Sequence, residues 1–541
     1  MKKSAVVHAI AGFLLMLLLC GITNRPEVPV FSADKRVSPL TFDETTLYAP
    51  GVRRFEARAK PSWELDVIEM RDVRFSYPIL HQIVLGIPAL FIGTETVWRL
   101  AHVLLPACVW LLFFLWVLEA RGNSPMAFAA AWMAVVIAAA PRNALLGAAT
   151  ALKQPMEFTR MPHPALSTLL LLVALLALCR VLEKERTSWL WIAGPLFGLL
   201  FYAYYFHAVA AWTLLGGVWL CLVFRRDPRW KTLMWVAVSG LLVAVPYILW
   251  TVESMRSGVS RHLMARIGEF TREPSWVAMA GLGVSAFFFV RGARRSKIQV
   301  WLLCGLFTGA FVVANLHLIT GYNAQHEHVW NRILQPFGVI LAACLLPWRG
   351  AWLHGVSALV IALATVRQMK VAEYQQGLRP LPQALMTWLA KHDSDDMVIG
   401  VLYEDVRGSL PALTRHWNFV PIGFRTLVSN EEILTRFAIV ARLSGLTLED
   451  AKELLTNSKE EARPYAYGLL DDYAVRPHDL AFFEKIWPQA DDFAPRKLDL
   501  LILPANQAPA PLSMIRYELK AELDGWKVWR VLRFKTPPLS Q

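Results

Sequence analysis

Apolar runs of membrane-spanning length recur along this chain from residue 5 to residue 366 and then cease. This constrains the fold more than any other feature. Backbone inside hydrocarbon satisfies its own N–H and C=O groups only as a helix or a closed barrel. About 20 apolar residues make one crossing helix. The expected class is therefore a polytopic α-helical membrane protein. The 541 residues are 55% hydrophobic with a mean hydropathy of +0.39, far from an ordinary soluble composition. Residues 370–541 read differently, with mixed polar sequence, frequent proline and charge, and a few short strand-like runs. The chain divides into a membrane domain, 1–369, and a soluble domain, 370–541, of about 170 residues, an ordinary size for one unit.

Charge follows the same division. Residues 370–541 hold 21 Lys and Arg against 23 Asp and Glu, so the net of +13 on the whole chain comes from the membrane part. Such a distribution fits topology signals and contacts with anionic lipid, and it argues against nucleic acid as a partner. The six cysteines, Cys20, Cys108, Cys179, Cys221, Cys304 and Cys344, all fall in apolar runs. They read as small buried hydrophobes rather than disulfides or metal ligands.

The N-terminal run has no small-x-small cleavage site after it, and Leu19 is the wrong residue ahead of Cys20 for a lipobox, so it reads as an uncleaved signal-anchor. Further spans are expected near 98–118, 125–141, 164–182, 189–205, 207–224, 232–252, 275–291, 298–319, 330–347 and 350–366, about eleven with the first. The run 78–93 is short and contains Pro78 and Pro88, which suits a juxtamembrane or re-entrant helix. The segments 180–186, 225–231 and 291–297 are strongly basic and of one parity. By the positive-inside rule they are expected in the cytoplasm with Lys2 and Lys3. The first loop, 23–97, and the soluble domain would then face the periplasm or exterior of a bacterial inner membrane.

The first loop carries FDETTLYAPGVRRF at 42–55, with Asp43 and Glu44 side by side. Alone, this is equally a solvated acidic pair near a helix start. It is followed by Tyr48, then by Pro78, His81 and Gly93 around the short apolar run, then by Trp98, Arg99 and Leu100 leading into the second span. Late in the membrane domain, GYNAQHEHVWNRILQPF places His328, Arg332 and Pro336 at the start of another span. Together these patches resemble the polyprenyl-phosphate-dependent glycosyltransferases of the GT-C fold, the group holding bacterial aminoarabinose transferases and protein O-mannosyltransferases. The sequence departs from their pattern at Tyr77-Pro78, where a Pro-Pro is usual, and the middle loops match only in general character.

The resemblance implies transfer of a hexose or pentose from a polyprenyl-phosphate donor to a lipid, glycan or protein acceptor, with inversion at the anomeric carbon. Asp43 would be the general base and Glu44 its positioning partner. Glu44 could instead bind the acceptor or help hold a divalent cation such as Mg2+ or Mn2+. A departing lipid phosphate needs cations. Arg261 and Arg266, on a basic outer loop that also holds Arg256 and Arg272, are candidates for it, as are His328 and Arg332. Glu157 and Arg160 are a further candidate pair for donor or acceptor binding. The loop arginines read equally as headgroup anchors, Arg332 as a snorkelling side chain, and Glu157 with Arg160 as a local ion pair. His326 and His328 at i and i+2 do not share a helix face, which disfavours a metal there. Tyr202, Tyr204, Tyr205 and His207 read mainly as packing between helices.

In the soluble domain, 397–403, 498–503 and 526–534 read as strands, with helices at 430–443 and 447–456, the second capped by Thr447. A small α/β unit is expected, with Asp471 and Asp472 on a surface turn. Two rival functions stand beside the enzyme. A transporter or flippase is disfavoured by the scarcity of charge within the spans and the lack of an internal repeat. A non-catalytic membrane scaffold is the other.

Overall fold

The structure, a computed structural model, describes residues 3–23, 48–62, 67–70, 73, 78–137, 158, 164–184, 187–268, 270–295, 297–323, 327–345, 350, 352–376, 382–392, 396–423, 426–456, 477–490, 496–512 and 515–533. Each run expected to cross the membrane is helical over most or all of its described length. Among the described residues six helices are long and apolar enough to cross: Lys3–Gly21, Thr94–Arg121, Ala165–Glu183, Tyr205–Phe224, Arg229–Arg256 and Ile298–Thr320. Shorter apolar helices stand among them at Leu80–Ile92, Ser124–Val136, Leu190–Ala203, Trp276–Gly292 and Trp352–Arg367. Large apolar side chains point outward from this bundle, with Phe91 83%, Trp191 69% and Leu242 71% exposed. A girdle of that kind is stable only against hydrocarbon.

The Leu80–Ile92 helix has 13 residues, about 20 Å, which is too short for a crossing. It ends at Gly93, whose φ of +81° and ψ of 149° are open to glycine but not to a side-chain-bearing residue, and the next helix begins at Thr94. The basic segments lie together on one face of the bundle. Arg229 donates through Nη1 to the Leu182 carbonyl at 2.9 Å, and Gln299 donates to Glu183 at 2.9 Å. Arg180 pairs with Glu119 on the same face. That the three segments share one side agrees with their common parity in the sequence.

The opposite face carries the first loop and the C-terminal part. Helix Trp352–Gln376 runs through the expected division at 369/370 and leads to that side. Among the described residues the C-terminal sheet has five strands, β1 Val398–Gly400, β2 Trp417–Asn418, β3 Leu500–Pro504, β4 Ile515–Leu523 and β5 Trp526–Arg533, in the order β2-β1-β3-β5-β4. β1 is parallel to β2 and β3, whereas β3, β5 and β4 are antiparallel. Helix Asn430–Leu443 covers the sheet through Phe437, Val440 and Ala441. Its first turn holds Glu432 between Arg436 and Arg496, each bonded at 2.7 Å. Burial there would raise the Glu432 carboxyl, but the two guanidinium groups outweigh it and hold the pKa below the usual value. Thr447 and Asp450 cap the next helix reciprocally, as the sequence indicates. β2, β4 and the helices Gln383–Lys391, Glu404–Leu413 and Pro477–Ile486 were not expected from the sequence. β1 is shorter than the expected 397–403, ending at Gly400, and a helix begins at Glu404. Asp471 and Asp472 lie outside the described residues.

Helices Leu190–Ala203 and Arg229–Arg256 pack closely through glycine. A Cβ added at Gly198 would lie 2.4 Å from the Gly240 carbonyl oxygen, and one added at Gly240 would lie 2.8 Å from the Gly194 carbonyl. Small residues four apart let membrane helices approach to backbone contact. Gly198→Val should push the pair apart and cost about 1–3 kcal/mol. It should be read as a lower melting temperature in detergent, with Gly216→Val, where nothing lies within 4 Å of the added Cβ, as the neutral comparison.

Candidate active site

A proline creates the first element of the site. Pro336 has no N–H to give the carbonyl four residues earlier, which belongs to Arg332. The chain answers with a π turn over Trp330–Leu334, in which Gln335 N–H reaches back to the Trp330 carbonyl. Such turns are rare and concentrate at functional positions. The backbone of Arg332 and that of Ser167 both lie near the buried His207 ring.

A second irregularity lies opposite. Helix Leu190–Ala203 stops and helix Tyr205–Phe224 starts with one extended residue between them, Tyr204. Tyr204 N–H still bonds to Leu200, and its carbonyl accepts from Ala208, so the break leaves neither backbone group unmatched. Freed from a helical direction, the Tyr204 ring meets the late span. Arg332 donates through Nη1 to Tyr204 Oη at 2.5 Å, and its guanidinium carbon sits 5.0 Å from the ring centroid. His207 lies edge-on to Tyr204 at 5.1 Å, and His328 lies 6.1 Å from it and 5.7 Å from Phe206. Arg332 is 3% exposed and His207 fully buried. Of this group the sequence singled out Arg332 and His328. It read Tyr204 and His207 as packing, and the usable signal was Pro336 spaced four after Arg332. Tyr202 does bond between helices, donating to the Val243 carbonyl at 3.0 Å.

The start of the Ala165–Lys184 helix joins this cluster to the first loop. Ala165 packs in one apolar cluster with Tyr48, Ala49, Val52, Val97, Trp98, Ala101 and Ala412. Two residues on, Ser167 is buried beside His207. Tyr48 is half-buried, its ring edge-on to the buried His81 at 5.2 Å. Thus Tyr48 and the 97–101 lead-in meet the helix start through Ala165, and the cluster of Arg332, Tyr204, His207 and His328 meets it two residues on, through Ser167 beside His207. The helix start adds its own positive end there, with no acidic residue in the first turn. Phe158 is buried against Phe113, which packs on Phe337.

Asp43, Glu44, Glu157 and Arg160 lie outside the described residues. In the basic loop, Gly258, at φ +72°, stands between the end of helix Arg229–Arg256 and a short helix, Val259–Ile267. Arg256 and Arg261 therefore do not line one continuous helix. Arg261 is exposed on that short helix, and the Arg266 side chain is outside the described residues. The loop is fixed near the cluster by Tyr322, which donates to the Met264 carbonyl at 3.2 Å. Burial, and then neighbouring Tyr205, push the Tyr322 phenol well above its ordinary pKa. Among the described residues no three His, Cys, Asp or Glu side chains converge as a metal site.

Tyr204→Phe should remove an acceptor from a buried guanidinium and destabilise the protein by about 1–3 kcal/mol. Thermal melts in detergent should show it, while Tyr205→Phe, at a 41% exposed ring, should melt as the parent does.

No family model and no curated protein matches the chain. Among solved structures it is similar to the Archaeoglobus fulgidus oligosaccharyltransferase tethered to an acceptor peptide with an NVT sequon. Identity there is 10% and TM-score 0.44, over 93% of this chain and 69% of that one. It is also similar to the Archaeoglobus fulgidus oligosaccharyltransferase AglB in complex with an inhibitory peptide and a dolichol-phosphate, at 11% identity and TM-score 0.42, over 93% and 70%. A third is ArnT from Cupriavidus metallidurans bound to undecaprenyl phosphate, at 13% identity and TM-score 0.42, over 98% of each chain.

Proposed function

We propose that the chain is a membrane glycosyltransferase that moves a sugar from a polyprenyl-phosphate donor to a lipid, glycan or protein acceptor. The observation that carries this reading is the convergence of Tyr48, the 97–101 lead-in and the Arg332–Tyr204–His207–His328 cluster at the start of the Ala165–Lys184 helix. Tyr48, Trp98, His328 and Arg332 all belong to the sequence patches that resemble the GT-C glycosyltransferases, whereas Tyr204 and His207 join them through packing. Their meeting on the face opposite the basic segments fits a donor whose tail lies in the bilayer and whose phosphate reaches that surface.

In this reading the acceptor oxygen attacks the anomeric carbon as the bond from that carbon to the phosphate oxygen breaks, with inversion. The bonding pair leaves with the polyprenyl phosphate, whose charge Arg332 neutralises, aided by the helix start at Ala165. The acceptor proton passes to Asp43 as general base, with Glu44 positioning it. Arg332 is preorganised by Tyr204, so little reorganisation is needed as the charge develops. Glu157, Arg160, Arg261 and Arg266 remain candidates for the rim of the donor and acceptor sites. The basic face would be cytoplasmic, and the transfer face the outer side of a bacterial plasma membrane.

The test is transfer in membranes supplied with a panel of radiolabelled polyprenyl-phosphate sugars. Asp43→Asn should lower kcat by about 100-fold or more with donor KM little changed. Arg332→Gln should lower kcat/KM by about 10- to 100-fold. Wild-type rates in both variants, at equal expression, would contradict the assignment.

A further inference from the structure

The first-loop helix Ala49–Arg58 is gripped on both sides. On the membrane side, a Cβ added at Gly86 would strike the Phe55 ring at 2.5 Å, and one at Gly51 would strike the Gln82 side chain at 2.8 Å. Gln82 in turn holds Ser62 by its N–H and its carbonyl, both at 2.8 Å. Glu56 accepts from Thr94 Oγ1 at 2.6 Å and from Arg53 at 2.8 Å. The helix is thereby fixed to the two helices that follow it.

On the other side, two of its arginines seize the C-terminal part. Arg54, 1% exposed, lays its guanidinium 3.7 Å from the centroid of the fully buried Trp417 ring. It donates to the His416 carbonyl at 2.6 Å and to the Arg415 carbonyl. Those carbonyls follow directly on helix Glu404–Leu413, at its negative end. Arg58, one turn on, stands 5.2 Å from the same ring and pairs with Asp396. Further along the loop, Glu69 pairs with Arg436 at 3.2 Å, and Val67 packs with Val428 and Ile433. An arginine buried against an indole and two carbonyls has one geometry, unlike a solvated surface pair.

We infer that the C-terminal part is a positioning element of the transferase, and that Asp396 and Trp417 together with the Arg415 and His416 carbonyls set the place of the Ala49–Arg58 helix, the Arg58–Asp396 pair being required to hold it. The inference rests on the function proposed above. Tyr48 stands at the start of that helix, and Glu44 lies four residues earlier in the chain. A helix that tilts on its clasp therefore moves Tyr48, at its start, relative to Arg332. Misplacement by about 1 Å suffices to lower a rate 100-fold.

Trp417→Ala would empty part of the C-terminal core, so the test uses the Arg58–Asp396 pair. Arg58→Asp, Asp396→Arg and the double exchange are made in the full chain in lipid nanodiscs. Hydrogen exchange of residues 48–58 is followed alongside steady-state transfer. Each single variant should exchange that segment about tenfold faster and lower kcat about tenfold, with donor KM within about twofold. The double exchange should restore both. Faster exchange with unchanged kcat would overturn the positioning role, and unchanged exchange in the single variants would overturn the clasp itself. Absence of transfer in the wild type from any donor would instead overturn the functional reading and the positioning role with it, while restored exchange in the double variant would still establish the clasp.

Discussion

A buried guanidinium in an apolar helical bundle is the constraint on which the rest of this site depends. Taking such a charge out of water costs several kcal/mol unless hydrogen bonds and polarisable groups replace its hydration. Around Arg332 the chain supplies the Tyr204 phenol, the faces of Tyr204 and the flanking His328 and His207 rings. Two departures from regular helix make this possible. The one-residue break at Tyr204 releases an aromatic side chain toward the late span. The π turn at Trp330–Leu334 gives Gln335 N–H to the Trp330 carbonyl and carries the buried Arg332 beside His207.

The two faces of the molecule divide the labour. Basic segments gather around Leu182, Glu183 and Arg229 on one face, and the opposite face collects the first loop, the Arg332 cluster and the C-terminal sheet. This follows from physics that acts before any chemistry does. Lysine and arginine fix the short loops to one side, so residues that must meet a substrate across the membrane are drawn from the loops of the other. The C-terminal part, which lacks any motif of its own, enters the account through contact, because its Trp417 is stacked on a first-loop arginine.

Much of the fold was legible in the sequence because hydrocarbon permits so few alternatives. Helix positions followed from apolar length, and their common face followed from charge. The site was legible only in pieces. Arg332 and His328 stood out as polar residues at a span start, and Tyr48 as part of the first-loop pattern. Tyr204 and His207 were hidden in FYAYYFHA, where no glycine or proline marks the break and each aromatic residue suits a packed helix equally well. The clasp was hidden for another reason. Arg54 and Trp417 are 363 positions apart, and neither local propensity nor periodicity links residues at that separation. β4 did carry a usable signal, because Ile515, Tyr517, Leu519, Ala521 and Leu523 alternate with charged residues at the period of a half-buried strand.

The most direct test of the account is to ask where a polyprenyl phosphate binds. A photoreactive polyprenyl phosphate with its crosslinker near the phosphate should label peptides containing Ala165–Thr168, Tyr204–His207 and Val329–Leu334. An excess of unlabelled polyprenyl phosphate should suppress that labelling. Labelling confined to outward-facing positions such as Trp191 and Leu242, and indifferent to the competitor, would contradict a phosphate site at the Arg332 cluster.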